Sequence, residues 1–266
     1  MYESKCIPLQ NIGRPFDMGE EAPNTRAAIK LGAKLFSADR LIPLETTLSP
    51  CWFVVQMKKL DLRKEFKYLY APSARKVEIV DVPIFNFAMI DGETRPDETP
   101  ATSQEYQNAI GALYGVSFTL KFMSKLRKKN PVDYPVMALE GLWWTRSGEF
   151  SFSRKEPWKW TMMIMQPQHI TGEIFQDGLE QVRKKKENPS LSKIRLESFH
   201  EGLAVQTMHI GPYSEETRTI TKMYDFAREN GYDLSGKHHE IYLGDPRRAK
   251  PEKLRTILRH PISKSK

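Results

Sequence analysis

The sequence is poor in cysteine and has no long apolar run. Its two cysteines, Cys6 and Cys51, lie far apart without a Cys or His neighbour at metal-ligand spacing, which excludes a disulfide scaffold and a zinc ribbon. The mean hydropathy is -0.55, and no apolar stretch approaches the roughly 18 residues of a membrane-spanning helix. The first residues also lack the basic start and apolar core of a secretory signal. These absences predict a cytoplasmic protein that has no membrane partner.

The chain also lacks the short motifs of several common enzyme classes. It contains no G-x-S-x-G, no Walker loop and no G-x-G-x-x-G, so nothing supports acyl transfer, nucleotide hydrolysis or dinucleotide redox chemistry. The run His238, His239 and Glu240 is not an H-E-x-x-H zinc pattern, because adjacent strand positions point to opposite sides. We therefore expect neither a metal nor another cofactor.

Positive charge is in excess but is confined to two places. The chain has 41 Lys plus Arg against 33 Asp plus Glu, a net charge of +8. The basic residues crowd positions 183–186 and the C-terminal end, without a recognition-helix pattern or interleaved aromatics that would stack on bases. Short charge runs of this kind are usually solvated surface, so we expect no nucleic-acid partner. The sequence leaves open whether the protein forms a homo-oligomer.

The composition changes near Met57. Residues 1–56 hold six Lys plus Arg and six Asp plus Glu, five prolines, and one predicted helix at 25–36. A lysine-rich pattern that could itself be a translation start begins at Met57. We therefore predict an N-terminal extension over 1–56 and a single domain over 57–266.

The order of elements from Lys76 onward predicts an α+β fold made of two strand-helix-strand-strand modules. β-branched and aromatic runs alternate with helical spacing there, as is typical of that fold class. The first module is predicted as strand 84–90, a helix that begins at Ser103 and ends before Asn130, and strands 136–144 and 158–165 as a hairpin. After a connecting helix at 172–186, the second is predicted as strand 203–210, helix 215–229 and strands 238–243 and 254–259. We expect antiparallel sheets with helices on one side and a central ligand cleft where the modules meet.

Four of the five tryptophans fall on two consecutive predicted strands. Alternation places Glu140 and Trp144 on one face of the first strand, and Trp158 and Trp160 on one face of the second. Paired indoles would form a slot for a planar ligand. The alternative is that the tryptophans belong to the core. Tyr213, which follows a Gly-Pro turn, either lines the same pocket or packs locally.

The run 237–243 carries the candidate reactive groups. Period-two alternation sends His238, Glu240 and Tyr242 to one face, with the last two roughly 7 Å apart along the strand. If that face points into an aromatic cleft, partial desolvation would make Glu240 a usable general base, and Tyr242 could donate or orient. The alternative is a half-exposed strand with ordinary polar residues.

Several of these segments together resemble the GyrI-like small-molecule-binding family. They are L-E-G-L-W-W at 139–144, the runs 158–167 and 201–213, G-K-H-H-E-I-Y-L-G-D-P at 236–246, and P-E-K-L-R-T-I-L-R-H-P at 251–261. The combination looks most similar to a standalone branch without a fused helix-turn-helix, the cyclopropanoid cyclopropyl hydrolases. The resemblance implies two strand-helix-strand-strand modules around a ligand cleft.

The resemblance also implies a function and a set of site residues. In that branch the cleft opens the cyclopropane of spirocyclopropyl-dienone genotoxins without a cofactor. Matching positions make Glu240 and Tyr242 the catalytic pair and give Trp143 or Trp144 with Trp158 or Trp160 as aromatic walls around a planar ligand. Glu140 is a second candidate base, because its strand position does not exclude that role. The alternatives are a non-catalytic multidrug-binding or sensing domain, a transcription effector, and a gyrase-protecting protein.

Overall fold

The computed structural model describes residues 57–95, 97–145, 157–185 and 187–265. The expected extension over 1–56, including its helix at 25–36, lies outside these ranges. The helices are α1 (Leu62–Glu65), α2 (Lys67–Tyr70), α3 (Gln104–Lys125), α4 (Gly172–Lys185) and α5 (Glu216–Glu229). The strands are β1 (Lys58–Lys59), β2 (Glu78–Val82), β3 (Phe85–Thr94), β4 (Val132–Asp133), β5 (Leu139–Trp144), β6 (Trp158–Gln166), β7 (Arg195–Phe199), β8 (Gly202–Ile210), β9 (Tyr232–Leu234), β10 (His238–Tyr242) and β11 (Arg255–Lys264).

The two predicted modules are present and share one sheet. The first is β3-α3-β5-β6 and the second is β8-α5-β10-β11. Their strands pair antiparallel in the order β2-β8-β11-β10-β5-β6-β3-β7, with β9 attached to β11. The modules join where β10 pairs with β5, so His238 stands opposite Trp143 and Glu240 opposite Gly141. The α+β prediction is confirmed, with the modules fused into a single sheet.

Short connections bring the two ends of this sheet close together. Only residues 83–84 link β2 to β3, and only residues 200–201 link β7 to β8, although each pair lies near opposite ends of the strand order. So few residues span at most about 11 Å. The sheet therefore curls.

Helices α3 and α5 both lie on the first face, where α3 packs on β3 and β6 and α5 packs on β8. Ser103 caps α3 by accepting a hydrogen bond from the backbone N–H of Tyr106, as its sequence position predicts. Ala109, Leu113, Val116 and Leu120 of α3 are fully buried at three- and four-residue spacing. Helix α5 buries Ile220 and Met223 against Val205 and Leu258 of the sheet. The strands between the two helices lie at the junction of the modules, which is where the sequence predicts the ligand cleft.

The second face is covered by α1, α2 and the connection at 200–201. The backbone carbonyls of Tyr68 and Leu69 in α2 accept hydrogen bonds from Gln206 and Arg259 of the sheet. Of the helices in the described ranges, none is long and apolar enough to cross a membrane.

Candidate functional site

The floor of the cleft carries a hydrogen-bonded line of side chains from β5 and β10. The Trp143 indole N–H donates to the Tyr242 hydroxyl at 3.0 Å, and that hydroxyl donates to Glu240 Oε2 at 2.7 Å. His238 Nε2 lies 3.4 Å from the other carboxylate oxygen of Glu240. Period-two alternation on β10 therefore does bring His238, Glu240 and Tyr242 to one face, which is the face between α3 and α5.

Gly141 explains how the Trp143 ring reaches Tyr242. A Cβ atom at Gly141 would lie only 2.8 Å from the Trp143 indole nitrogen, closer than such atoms approach in proteins. The missing side chain lets the indole lie along β5 toward β10. Burial, and then the nearby charge of Glu240, raise the pKa of Tyr242 well above its usual value. Tyr242 thus remains a phenol that donates to Glu240 and keeps one carboxylate oxygen fixed.

A second set of groups extends the line beneath α5. The Tyr224 hydroxyl lies 3.4 Å from His238 Nδ1 and 3.1 Å from His260 Nδ1. Burial, and then the neighbouring His238, lower the pKa of His260 to about 3. His260 is therefore neutral at physiological pH. Tyr224 and His260 contact one side of the His238 ring, and Glu240 lies on its other side.

A second carboxyl enters the cleft from the first turn of α5. Glu216 is 5% exposed. Burial, and then the negative charge of Glu240, raise the pKa of Glu216 to about 9. Its carboxyl therefore carries a proton at neutral pH, unlike an ordinary surface glutamate. Tyr213, in the turn before α5, stands at the mouth of the cleft and packs edge-on against Tyr242 with ring centres 5.9 Å apart.

The aromatic walls are built differently from the paired slot that the sequence predicts. Trp158 meets Trp143 edge-on, with ring centres 5.8 Å apart and planes at 68°. The Tyr106 ring from α3 stacks on Trp143 at 6.0 Å and meets Trp160 edge-on at 5.4 Å. Trp160 is fully buried, and its indole N–H donates to Thr94. Trp160 therefore belongs to the core, while half-buried Trp158 stands beside Trp143 at the cleft.

Trp144 and Glu140 lie on the opposite face of the sheet from Glu240, which corrects the expectation that they line the cleft. The ammonium group of Lys237 lies 3.6 Å from the centre of the Trp144 ring, a cation–π contact on that face. Glu140 is 1% exposed and bonds to Tyr70 and His239. The reason is the alternation of β5. Trp143 and Gly141 face α3 and α5, whereas Glu140 and Trp144 face the other side of the sheet.

Glu140 belongs to a buried ionic network. His239 lies between Glu140 Oε2 and Glu201 Oε1, 3.0 Å from each, and Arg259 donates to Glu201 Oε2 at 3.0 Å. Burial lowers the pKa of His239, but the two carboxylates outweigh it and raise the pKa to about 9. Burial raises the pKa of Glu201, but His239 and Arg259 outweigh it and lower the pKa to about 2. Opposite charges thus meet on the face away from the cleft, and they fix the backbone of β10 beneath Glu240.

A separate groove lies outside this cluster. It has a volume of about 710 Å³ and is lined by Arg75, Lys76, Arg218 and Lys222 together with Asp225 and Glu229. Its mixed charges do not include any side chain of the Glu240 cluster. In the described ranges, no group of three or more His, Cys, Asp or Glu side chains could hold a metal ion.

The structure therefore brings together six of the nine residues predicted from the sequence and four that the sequence pattern does not indicate. The six are His238, Glu240, Tyr242, Trp143, Trp158 and Tyr213. The four others are Tyr106, Glu216, Tyr224 and His260. Helix periodicity could have indicated Tyr106 and Tyr224, because both lie on the apolar faces of their helices. No local signal marks Glu216, whose burial depends on how α5 packs.

Comparisons with known proteins agree with this architecture. The model of the GyrI-like small molecule binding domain matches residues 75–263. The crystal structure of an uncharacterized conserved protein from Listeria innocua is 41% identical, covers 77% of this chain and 100% of its own, and superposes with a TM-score of 0.69. That of a hydrolase from Listeria innocua is 40% identical, with the same coverage and a TM-score of 0.66. No significant match was found among curated proteins.

Proposed function

The chain belongs to the GyrI-like small-molecule-binding family, and from that premise we propose that its cleft binds planar aromatic xenobiotics and hydrolyses the cyclopropane of spirocyclopropyl dienones. A hydrolase from Listeria innocua that is 40% identical over the whole of its own length supports the hydrolysis. We place the activity in the cytoplasm and in residues 57–266, with 1–56 as an extension.

The observation that carries the proposal is the geometry of Glu240. Its side chain is 13% exposed, so it is sheltered and still accessible from the cleft. One carboxylate oxygen is held at 2.7 Å by the Tyr242 phenol, and the other faces His238 at 3.4 Å. A carboxylate whose orientation is fixed at the floor of an aromatic cleft is suited to direct a water molecule onto a bound ligand.

The chemistry follows from this placement. Glu240 accepts a proton from a water molecule while the water oxygen forms a bond to the strained cyclopropane carbon. The ring C–C bond breaks, and its electron pair enters the dienone, which becomes an aromatic phenol after it gains a proton. Aromatisation supplies most of the driving force, so the protein contributes positioning and a matched base, each typically worth several kcal/mol. Tyr242 and Trp143 keep Glu240 in the reactive orientation.

A non-catalytic binding or sensing role is the second candidate, and the aromatic lining of the cleft favours it. Tyr106 stacks on Trp143, and Tyr213, which is 39% exposed, packs against Tyr242. Such rings offer flat apolar surfaces on which a planar molecule can pack, with no bond made or broken. Such a protein would sequester the drug without changing its mass.

The variant Glu240→Gln separates the two functions. The amide keeps the size of the side chain but cannot accept the proton of water, so we expect ring opening to slow by about 10²- to 10⁴-fold while drug binding persists. Single-turnover mass spectrometry gives the rate, and quenching of tryptophan fluorescence gives the affinity. Glu197→Gln, a change at an exposed position of β7, is the matched control. Undiminished ring opening in Glu240→Gln would remove Glu240 from the base role.

A further inference from the structure

We infer that Glu216 is a second catalytic carboxyl, which donates a proton to the ligand oxygen that becomes the phenol. This inference rests on the proposed function and adds the acid that the reaction needs opposite its base. Nothing in the sequence pattern marked this residue. The evidence is its place at the start of α5, an unpartnered oxygen atom and the charge of its neighbours.

The position of Glu216 relative to Glu240 follows from the strand register. Thr256, which interacts with Glu216, is the direct partner of Tyr242 across β10 and β11. Tyr242 is two residues from Glu240 on the same face, and such a step spans roughly 7 Å. Both carboxyls therefore lie in the neighbourhood of Tyr242, Glu240 on the sheet and Glu216 on the helix above it.

Glu216 also has unused hydrogen-bonding capacity. Its Oε1 atom is shielded from solvent and has no hydrogen-bond partner among the residues that the structure describes. A buried polar atom without a partner is costly, and in native proteins it often marks a functional site. An oxygen atom of a bound ligand would supply the missing partner.

The surroundings of Glu216 keep a proton on it. Burial and the charge of Glu240 raise its pKa to about 9. The other titratable groups that face it are Tyr213 from the turn before α5, Tyr242 from β10 and His209, whose strand position is beside Thr256. Burial raises the pKa of both tyrosines, so both are neutral. The cleft thus presents a protonated carboxyl on α5 within electrostatic reach of the carboxylate of Glu240 on β10, a pairing that suits general acid and base catalysis.

The proposed step balances. In a spirocyclopropyl dienone the carbonyl oxygen and the cyclopropane lie at opposite ends of the conjugated ring, so the acid and the base must stand apart. As the ring C–C bond breaks, the carbonyl oxygen gains electron density and takes the proton of Glu216, while Glu240 takes a proton from the attacking water. A proton then passes from Glu240 to Glu216 through solvent, and the net change is the addition of one water.

The helix assists the charge change at Glu216. Its carboxyl becomes negative when it donates the proton, and it lies in the first turn of α5, which is 14 residues long. The N-terminal end of a helix stabilises a negative charge by its dipole and its free N–H groups. The developing carboxylate is therefore less unfavourable there than at another buried position.

The test compares Glu216→Gln with Glu215→Gln, its exposed neighbour, in the full chain. Single-turnover ring opening of a spirocyclopropyl-dienone drug is followed by mass from pH 6 to 10, within the range where circular dichroism shows both proteins folded. We expect Glu216→Gln to bind the drug within a few-fold of the wild type, to react about 100-fold more slowly, and to lose the decline in rate near pH 9. Glu215→Gln should match the wild type, and Glu216→Asp should keep the decline at a reduced rate.

The outcomes are distinguishable. A wild-type rate and pH profile in Glu216→Gln would overturn the role of Glu216 and leave the proposed function intact. A wild-type protein that binds the drug without adding water would overturn both. An infrared difference spectrum at pH 7 adds a readout independent of turnover, because the carbonyl band of a protonated carboxylic acid should be present in the wild type and missing in Glu216→Gln. Absence of that band from the difference spectrum would also overturn the inference.

Discussion

Replacement of Glu201 by Gln should destabilise the protein strongly and in a pH-dependent way. Glu201 contacts His239 and Arg259 at 3.0 Å each, with its side chain 1% exposed. Removal of one partner from a buried ion pair typically costs about 3–5 kcal/mol, because the remaining charge is left without compensation. The His239 pKa agrees: a rise from its usual 6.5 to about 9 corresponds to about 3 kcal/mol. The second figure includes the effect of Glu140 on His239 as well as that of Glu201, so the two figures overlap and are not added.

The direction of the pH dependence follows from the same pKa. His239 has a higher pKa in the folded state than in the unfolded state. Its contribution to the free energy of unfolding is therefore complete below about pH 6.5 and is lost as the pH rises through about 9. Glu201, whose folded pKa is lowered to about 2, contributes above its usual pKa of 4.5 and loses that contribution only as the pH falls toward 2. The free energy of unfolding of Glu201→Gln should therefore differ most from that of the wild type near pH 6. This difference should be smaller at pH 10.

Urea unfolding followed by tryptophan fluorescence measures these differences. The matched control is Glu197→Gln, which removes a carboxylate that is 52% exposed and pairs with Arg195 on the surface. Exposed pairs contribute about 0–1 kcal/mol, so that variant should stay close to the wild type. A loss below 1 kcal/mol in Glu201→Gln at pH 6, or a loss of the same size at pH 6 and pH 10, would refute the reasoning.

Two further variants test the packing around the cleft. Gly92→Ala places a Cβ atom 2.2 Å from the buried Trp160 ring, so it should lower the free energy of unfolding by about 1–3 kcal/mol in thermal unfolding. The control Gly172→Ala, where nothing lies within 4 Å, should not destabilise the protein. Equal stability of the two variants would contradict the packing around Trp160. Trp143→Phe removes the hydrogen bond to Tyr242 and should lower kcat for ring opening by about 10-fold, whereas Trp144→Phe on the opposite face should leave kcat unchanged; equal losses in steady-state assays would deny Trp143 a role in orienting Tyr242.

The sequence predicts the modules and the reactive face of β10 because both depend on local periodicity. Alternation along β10 requires His238, Glu240 and Tyr242 to share a face whatever the tertiary structure. Helix α3 and the hairpin of β5 and β6 likewise follow from spacing and turn residues. The sequence does not predict the edge strands β2 and β7, because they are short, with most side chains partly or fully exposed and no clear alternation.

The sequence does not determine which residues the fold brings into contact. The choice between Trp143 and Trp144 depends on the strand register, since a shift of one residue exchanges the faces. The role of Glu140 also depends on which face of the sheet it occupies, and the sequence does not determine that face. In the folded sheet Glu140 bonds to His239 and Tyr70 and not to the Glu240 cluster. The bond from Arg259 to the Leu69 carbonyl joins positions 190 residues apart, and Glu216 enters the cleft only because α5 packs there. Such contacts leave no local pattern.

The most direct test of the proposed hydrolysis is the mass of a spirocyclopropyl-dienone drug after incubation with the purified wild-type protein in water enriched in heavy oxygen. We expect a product that has gained one water molecule carrying the heavy oxygen, formed at a rate well above that without protein. A drug that is bound tightly and recovered unchanged would contradict hydrolysis and make this member of the family a binding protein.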